Sequence, residues 1–336
     1  MDRQPSYLED IGIGDNARHL FNQKLGEKIM KKKVLLSICI PAYNSPHFIL
    51  KLLNSLVTMP GIEAAEIVIL DDGSTDETAG VVKGFISKHP EVNINFYQHQ
   101  KNRGFDKTIL ELPRKARGKF CWFISQDDLP RKHSLRKILA VVNKYPDLSL
   151  IHMNYSRFDN KLQKITAQRM VGSINRDILF ENANDFFFKN ITGSYFYFLG
   201  TNIITVSTDV VRRKLWLEAI AGMERFIGHN FIHCFVISKM IKDVPKIFYI
   251  GRPNVQYLAN NHRIWSNDIW KDYNEVLLDY LRNLGYDRSG IRLMKRLQKK
   301  YERREAVMKN PLTRHFYNLA RPVYAVIQYL KTKLGE

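Results

Sequence analysis

Two short runs, VLLSICI at Val34 to Ile40 and EIVILDD ending at Asp72, are almost continuously apolar and rich in β-branched residues, and each stops at a polar cluster. Runs of this kind suit strands buried on both faces of a parallel sheet. Between them, Ser45 to Thr58 sets Phe48, Leu52, Leu53 and Leu56 at helical spacing, which makes a βαβ unit. The order repeats with a helix over Thr75 to His89, a strand at Asn93 to Gln98, a helix over Asp106 to Arg117 and a strand at Lys119 to Ser125. Such alternation predicts an α/β fold with a doubly wound, mostly parallel sheet whose ligands sit beyond the carboxyl ends of the strands. The polar clusters Pro41 to Asn44, Asp71 to Asp76, Asn102 to Asp106 and Gln126 to Asp128 stand at those ends.

The chain divides by composition into four stretches. Residues 1–33 are a polar leader with one helix over Ala17 to Met30, and 34–150 are the α/β half. From 151 to 265 aromatics crowd in (DFFFKN, SYFYFLGTN, HNFIHCF), as expected of a pocket lining as much as of a core. Residues 266–336 form a basic helical region with helices over Asp268 to Leu284, Ile291 to Met308 and Leu312 to Leu334.

A formal net charge of +19 calls for an anionic partner: nucleic acid, anionic lipid or a phosphorylated substrate. Between Arg288 and Glu336 thirteen Lys or Arg face three Glu, and there Lys and Arg alternate with Leu, Tyr and Val at helical spacing. That pattern suits a helix lying on an anionic membrane surface. Nucleic acid is the weaker expectation, since the sequence holds no zinc pattern, no RNP aromatic motif and no helix-turn-helix. GIGDNA fits a dinucleotide pattern but lacks the buried strand that must precede it, and no Walker sequence exists. No apolar run approaches the roughly 18 residues of a spanning helix, and the first residues lack a secretory signal, so the expected location is cytoplasmic and peripheral on the membrane. Cys39, Cys121 and Cys234 lie far apart in apolar text and read as core thiols. Sequons at Asn154 and Asn190 would stay idle in the cytoplasm.

Hard cations such as Mg²⁺ and Mn²⁺ prefer carboxylate oxygens, and one or two carboxylates commonly bind the ion while phosphates complete its shell. Asp127 and Asp128, directly after CWFIS, meet that demand, although adjacent acids also serve as helix caps. A second acidic turn, DDGSTDE, also follows a buried strand, so two carboxylate clusters should converge on one edge of the sheet. Asp76 and Glu77 within it read as helix-start residues.

SICIPAYN, EIVILDDGSTDET and NRGFDKTILELPRKARGKFCWFISQDD together resemble the nucleotide-binding half of family-2 glycosyltransferases, which have the GT-A fold and invert the anomeric centre. The stretch GFDKTILEL to GKFCWFISQDDLP most resembles bacterial abequosyltransferase-like enzymes of surface-polysaccharide assembly. The resemblance covers Leu35 to about Lys144. It implies a nucleotide-sugar donor, a lipid-linked oligosaccharide acceptor and a Mg²⁺ or Mn²⁺ cofactor. Pro41, Ala42 and Tyr43 would line the base pocket, an Asp of the Asp71–Asp72 pair would hydrogen-bond the base, and Arg103 and Asp106 would contact the donor. Asp127 matches the last acid of the D-x-D motif and would ligate the metal, with Gln126 and Asp128 beside it at the donor; Ser125 stands where the first acid usually is, and Gln126 replaces a frequent acid.

The family's base, a Glu-Asp pair or Asp opening a helix about a hundred residues on, has no match in GMERFIGHNFIHCFVISKM. His229 and Glu224 are equal candidates for that role, and His233 reads as a core histidine. His262 or Arg263 would grip the leaving diphosphate. Two rival readings remain: a basic nucleic-acid-binding protein, and a nucleotide-sugar-binding relic without catalysis.

Overall fold

The structure, a computed structural model, describes residues 34–158, 165–167, 174–189, 203–258 and 267–309. The leader helix, the helix expected after Leu312, Asn190, His262 and Arg263 lie outside the described residues.

The first half follows the alternating pattern: β1 (Leu36–Ala42), α1 (Pro46–Val57), β2 (Ala65–Asp71), α2 (Thr78–Lys88), β3 (Ile94–Gln98), α3 (Phe105–Lys115) and β4 (Phe120–Phe123). β1, β2 and β4 are buried along their whole length, as their unbroken apolar text requires. Helix α1 starts on Pro46, whose missing N–H costs nothing at a first helical position, and buries Ile49, Leu52, Leu53 and Leu56. Phe48, expected on that stripe, is only half-buried.

The second half adds β5 (Leu129–Pro130), α4 (Ser134–Lys144), β6 (Leu150–Phe158), β7 (Ile165–Ala167), β8 (Ile178–Phe180), β9 (Asp209–Arg212), α5 (Arg213–Ala219), α6 (Ile232–Asp243), β10 (Ile247–Leu258), α7 (Asn267–Asn283) and α8 (Arg288–Lys309). All strands join one sheet in the order β3-β2-β1-β4-β9-β6-β10-β5, with β7 on β6 and β8 on β10. The sheet is parallel through β3, β2, β1 and β4, and again between β6 and β10; β9 lies antiparallel to both β4 and β6. One continuous sheet therefore crosses the compositional boundary near residue 150.

Strand order reverses at β1, since β2 and β3 run outward on one side and β4 returns on the other. The crevice at the carboxyl ends of β1 and β4 is the switch point at which doubly wound sheets bind ligands.

Each face of the sheet carries its own core. Ile38, Ile40, Leu52, Leu53, Ile67, Trp122 and Ile138 pack on one face; Cys39, Val68, Leu112, Phe123, Trp216, Phe235 and Leu277 pack on the other. The three cysteines are buried free thiols, and burial raises the pKa of Cys39 well above its ordinary value. Asn154 is fully buried and donates to the Gly251 carbonyl. The second core extends into the basic region: α7 buries Leu277, Leu278 and Leu281, and the first turns of α8 bury Ile291 and Met294.

Candidate active site

Three loops meet at the switch point. Ala42 is buried at the end of β1, Pro41 lies within that strand, and Tyr43 follows with 38% of its surface exposed. The next loop carries Asp71 and Asp72, both buried. Asp71 Oδ1 accepts the N–H and hydroxyl of Ser74 at 3.0 and 2.6 Å, and its Oδ2 accepts Gln98 Nε2 at 3.0 Å. Asp72 accepts the N–H of Arg103 at 2.9 Å and of Gly104 at 2.8 Å, while His99 Nδ1 lies 2.8 Å from its Oδ1. Between these loops Gly73 has φ +72°, and a Cβ there would meet the Lys101 carbonyl carbon at 2.6 Å, so only glycine lets the loops approach so closely.

Asp71 and Asp72 are thus the internal scaffold of the loops around the crevice. His99 extends the brace, with Nε2 3.1 Å from Glu111, which also accepts Arg103 Nη1 at 2.9 Å. Arg103 is therefore held by its backbone and its guanidinium together. Sequence reasoning missed His99 and Glu111, because their partners lie 27 and 12 residues away and no local pattern marks them.

Residues 125–128 form the third loop. The Ser125 hydroxyl donates to Asp127 Oδ1 at 2.5 Å, and the Ser125 N–H is anchored on the Ser207 hydroxyl at 2.9 Å. The two aspartates differ sharply. Asp128 is buried and accepts the Ser207 hydroxyl at 2.6 Å and the Leu258 N–H at 3.0 Å; burial, then the neighbouring Asp127, pushes its carboxyl pKa well up. Asp127 keeps partial exposure. Asp128, expected at the donor, is accordingly a structural residue that ties the 125–128 loop to the ends of β10 and the 205–208 segment. Tyr155 and Tyr257 pack edge to face at 5.7 Å near this loop. Burial first, with Asp128 adding to it, pushes the Tyr257 phenol up, and burial takes Tyr155 up to about 12.

Among the described residues no group of three or more His, Cys, Asp or Glu is assembled as a metal cage. One part-exposed carboxylate beside a serine hydroxyl fits an ion of the Mg²⁺ or Mn²⁺ type, which takes one or two protein oxygens and fills its shell with phosphate and water.

Asp106 departs most from expectation. Only 3% exposed, it accepts the N–H groups of Gly228 at 2.7 Å, Asn230 at 3.0 Å and Ile232 at 3.3 Å, so both oxygens face the 228–232 loop rather than a donor. Gly228 and Asn230 take φ of +108° and +59°, left-handed conformations in a loop whose alternate N–H groups turn inward on the Asp106 carboxyl. Burial raises the Asp106 carboxyl pKa; the three N–H groups and nearby His229 oppose the rise.

The base candidates now differ. His229 is half-buried on the loop that Asp106 holds, whereas Glu224 is exposed on the short 3₁₀ turn Glu224–Phe226. His233 is buried with Nε2 donating to the Ile204 carbonyl at 3.1 Å, and burial pushes its pKa down to about 4. It is a core histidine.

This sheet, with its crevice at the β1–β4 switch point, defines the chain as a mixed α/β protein of the GT-A type. The sequence model of glycosyl transferase family 2 matches residues 37–204, half of the 336 residues, and the chain belongs to that family. Abequosyltransferase RfbV of Salmonella typhimurium is 25% identical over 230 residues, 68% of each chain. Dolichyl-phosphate beta-glucosyltransferase of Dictyostelium discoideum is 28% identical over 154 residues, 43% of this chain and 47% of that protein, so this chain spans about half the length of that relative. Among solved structures, S. aureus TarS 1–349 in complex with UDP-GlcNAc superposes with a TM-score of 0.56 at 18% identity, covering 77% of this chain and 70% of that one. The mannosyltransferase PcManGT from Pyrobaculum calidifontis, in complex with GDP-Man and Mn²⁺, gives 0.50 at 14% identity over 94% and 88%. At such identities the likeness concerns the fold.

Proposed function

We propose that this chain transfers a sugar from a nucleoside-diphosphate donor to a hydroxyl of a lipid-linked glycan acceptor in bacterial surface-polysaccharide assembly, with inversion. One observation carries the reading: of the acids at the switch-point crevice, Asp71, Asp72 and Asp128 are buried, and Asp127 stays part-exposed on the loop that Gln126 ties to Tyr43. The base lies on the Tyr43 side, with Pro41 and Ala42 beneath it, and Asp127 holds the cation. That cation, when bound, offsets the charge that gathers on the departing diphosphate. Arg103, fixed by Asp72 and Glu111, presents a cation to the donor; His262 and Arg263 would add theirs.

His229 is the better base. The buried Asp106 carboxyl holds the loop that carries it, and an imidazole nitrogen can take a proton from an attacking hydroxyl. Deprotonation of the acceptor hydroxyl on the face opposite the diphosphate gives inversion. RfbV, a bacterial abequosyltransferase, supports sugar transfer in a bacterial setting, and the TarS and PcManGT complexes support a nucleotide-sugar donor. No described helix is long and apolar enough to cross a membrane, and the basic α8 suits peripheral attachment on the inner face of the cytoplasmic membrane.

Donor hydrolysis over a panel of nucleoside-diphosphate sugars, with Mg²⁺ and with Mn²⁺, tests the reading without knowledge of the acceptor. Turnover of one donor supports it. Binding without turnover turns the chain into a relic, and salt-sensitive binding to DNA or RNA with neither would leave a nucleic-acid-binding protein.

A further inference from the structure

Gln126 does something that an acid in its place could not. Its Oε1 accepts the Tyr43 N–H at 2.8 Å and its Nε2 donates to the Tyr43 carbonyl at 2.9 Å, so one side chain closes both backbone groups of a residue 83 positions away. A carboxylate only accepts and an ammonium only donates; a carboxamide supplies both from two separate atoms. A glutamate here would set a carboxylate oxygen against the Tyr43 carbonyl. The departure from a frequent acid at this position therefore has a structural use.

The clamp is the first of three. The next two N–H groups along the chain, those of Asn44 and Ser45, donate to Ser74 Oγ at 2.9 Å and Thr78 Oγ1 at 2.7 Å, and Asn44 Oδ1 accepts the Thr75 N–H at 2.9 Å. Three consecutive N–H groups are thus held by side chains from the 125–128 loop, the acidic turn and the start of α2. Asn44 takes φ +43°, a left-handed conformation that this ring of bonds holds in place. The element so braced ends in Tyr43, one of four exposed large apolar side chains among the described residues, at the rim of the switch point. A ring on a fixed backbone loses little freedom when a flat ligand stacks on it.

We propose that Gln126 is a positioning residue that orients the Tyr43 ring against the nucleobase and thereby couples the base pocket to the Asp127 loop. This rests on the reading of the crevice as a nucleoside-diphosphate site. Gln126 acts through Tyr43 alone, and its loss is felt only while the Tyr43 ring is present.

The test is a double-mutant cycle on the full chain. UDP, CDP, GDP and dTDP are titrated calorimetrically in Mg²⁺, and the tightest is carried forward to Gln126→Glu, Gln126→Met, Tyr43→Leu and the two double variants. Gln126→Met removes both hydrogen bonds without adding charge, and Tyr43→Leu keeps an apolar contact so that binding stays measurable. Each Gln126 variant should weaken the nucleotide about tenfold, the loss expected for a hydrogen bond left unmade. In the Tyr43→Leu background the same changes should add no further loss. Losses that simply multiply would show that Gln126 acts independently of the ring and would overturn the inference, as would wild-type affinity in both single variants. If the native chain binds none of the four nucleotides, the proposed function falls first and takes this inference with it.

Discussion

Asp106, on the first turn of α3, accepts the N–H of Asn230 at 3.0 Å, so a helix of the first α/β half carries the loop on which His229 sits. The two candidate sites, one for the donor and one for the attacking hydroxyl, are fixed to each other through a single buried carboxylate.

Replacing that carboxylate by an amide should therefore cost more activity than stability. Asp106→Asn keeps the shape but turns an NH₂ toward N–H groups, a cost of about 1–3 kcal/mol for the unmatched donor. Chemical denaturation should show that loss, and donor turnover should fall by far more than nucleotide affinity, because the 228–232 loop no longer holds His229. Equal declines in turnover and affinity would return Asp106 to the donor site.

Asp127 and Asp128 should separate cleanly. Asp127→Asn should abolish donor turnover with an unchanged melting temperature. Asp128→Asn should lower stability by about 1–3 kcal/mol, since the Ser207 hydroxyl and the Leu258 N–H each donate to a different carboxyl oxygen and an amide keeps only one. Melting curves and turnover for both variants decide the matter, and the reverse pattern would exchange their roles.

His233 should show its burial in the pH dependence of folding. Its folded pKa is depressed to about 4, against 6.5 for an ordinary histidine. The contribution is therefore complete above 6.5 and is lost as pH falls toward 4, because the unfolded chain takes a proton that the fold refuses. The full loss is on the order of 3 kcal/mol. His233→Gln, whose amide can still donate to the Ile204 carbonyl, should remove this slope. A stability difference between native and variant that stays constant from pH 7 to pH 4 would sink the assignment.

How far these roles could be read from the sequence depended on distance along the chain. β1, β2 and β4 were legible because a strand buried on both faces is a contiguous apolar run, and the crevice followed from the polar clusters that end those runs. The place of β9 between β4 and β6 was not, since antiparallel insertion of a four-residue strand leaves no periodic mark. The split between Asp127 and Asp128 was equally hidden: Asp128 is claimed by Ser207 and Leu258, 79 and 130 residues downstream. Asp106 is a donor contact only by the family resemblance, and the partners that it holds lie more than 120 residues away. Gln126 read as a missing acid until the Tyr43 backbone appeared opposite its amide.

The basic region calls for a test by charge rather than by truncation. Expecting the core to be complete without it suggests a chain cut near Tyr286, but Ile291 and Met294 of α8 are buried in the second core, and a Cβ on Gly290 would meet the Phe188 ring at 2.5 Å. Removing α8 would strip that core. Its opposite face exposes Arg292, Arg296, Lys299, Lys300 and Arg303, five cations that each contribute up to about 1 kcal/mol of attraction near an anionic surface. Changing all five to Gln should leave the melting temperature and donor hydrolysis intact while sharply reducing sedimentation with anionic vesicles; neutral vesicles should bind neither form. For the native chain, binding should also weaken as salt shortens the screening length. Negligible vesicle binding by the native chain, or equal binding by both forms, would make this a solvated face and remove the membrane from the proposal.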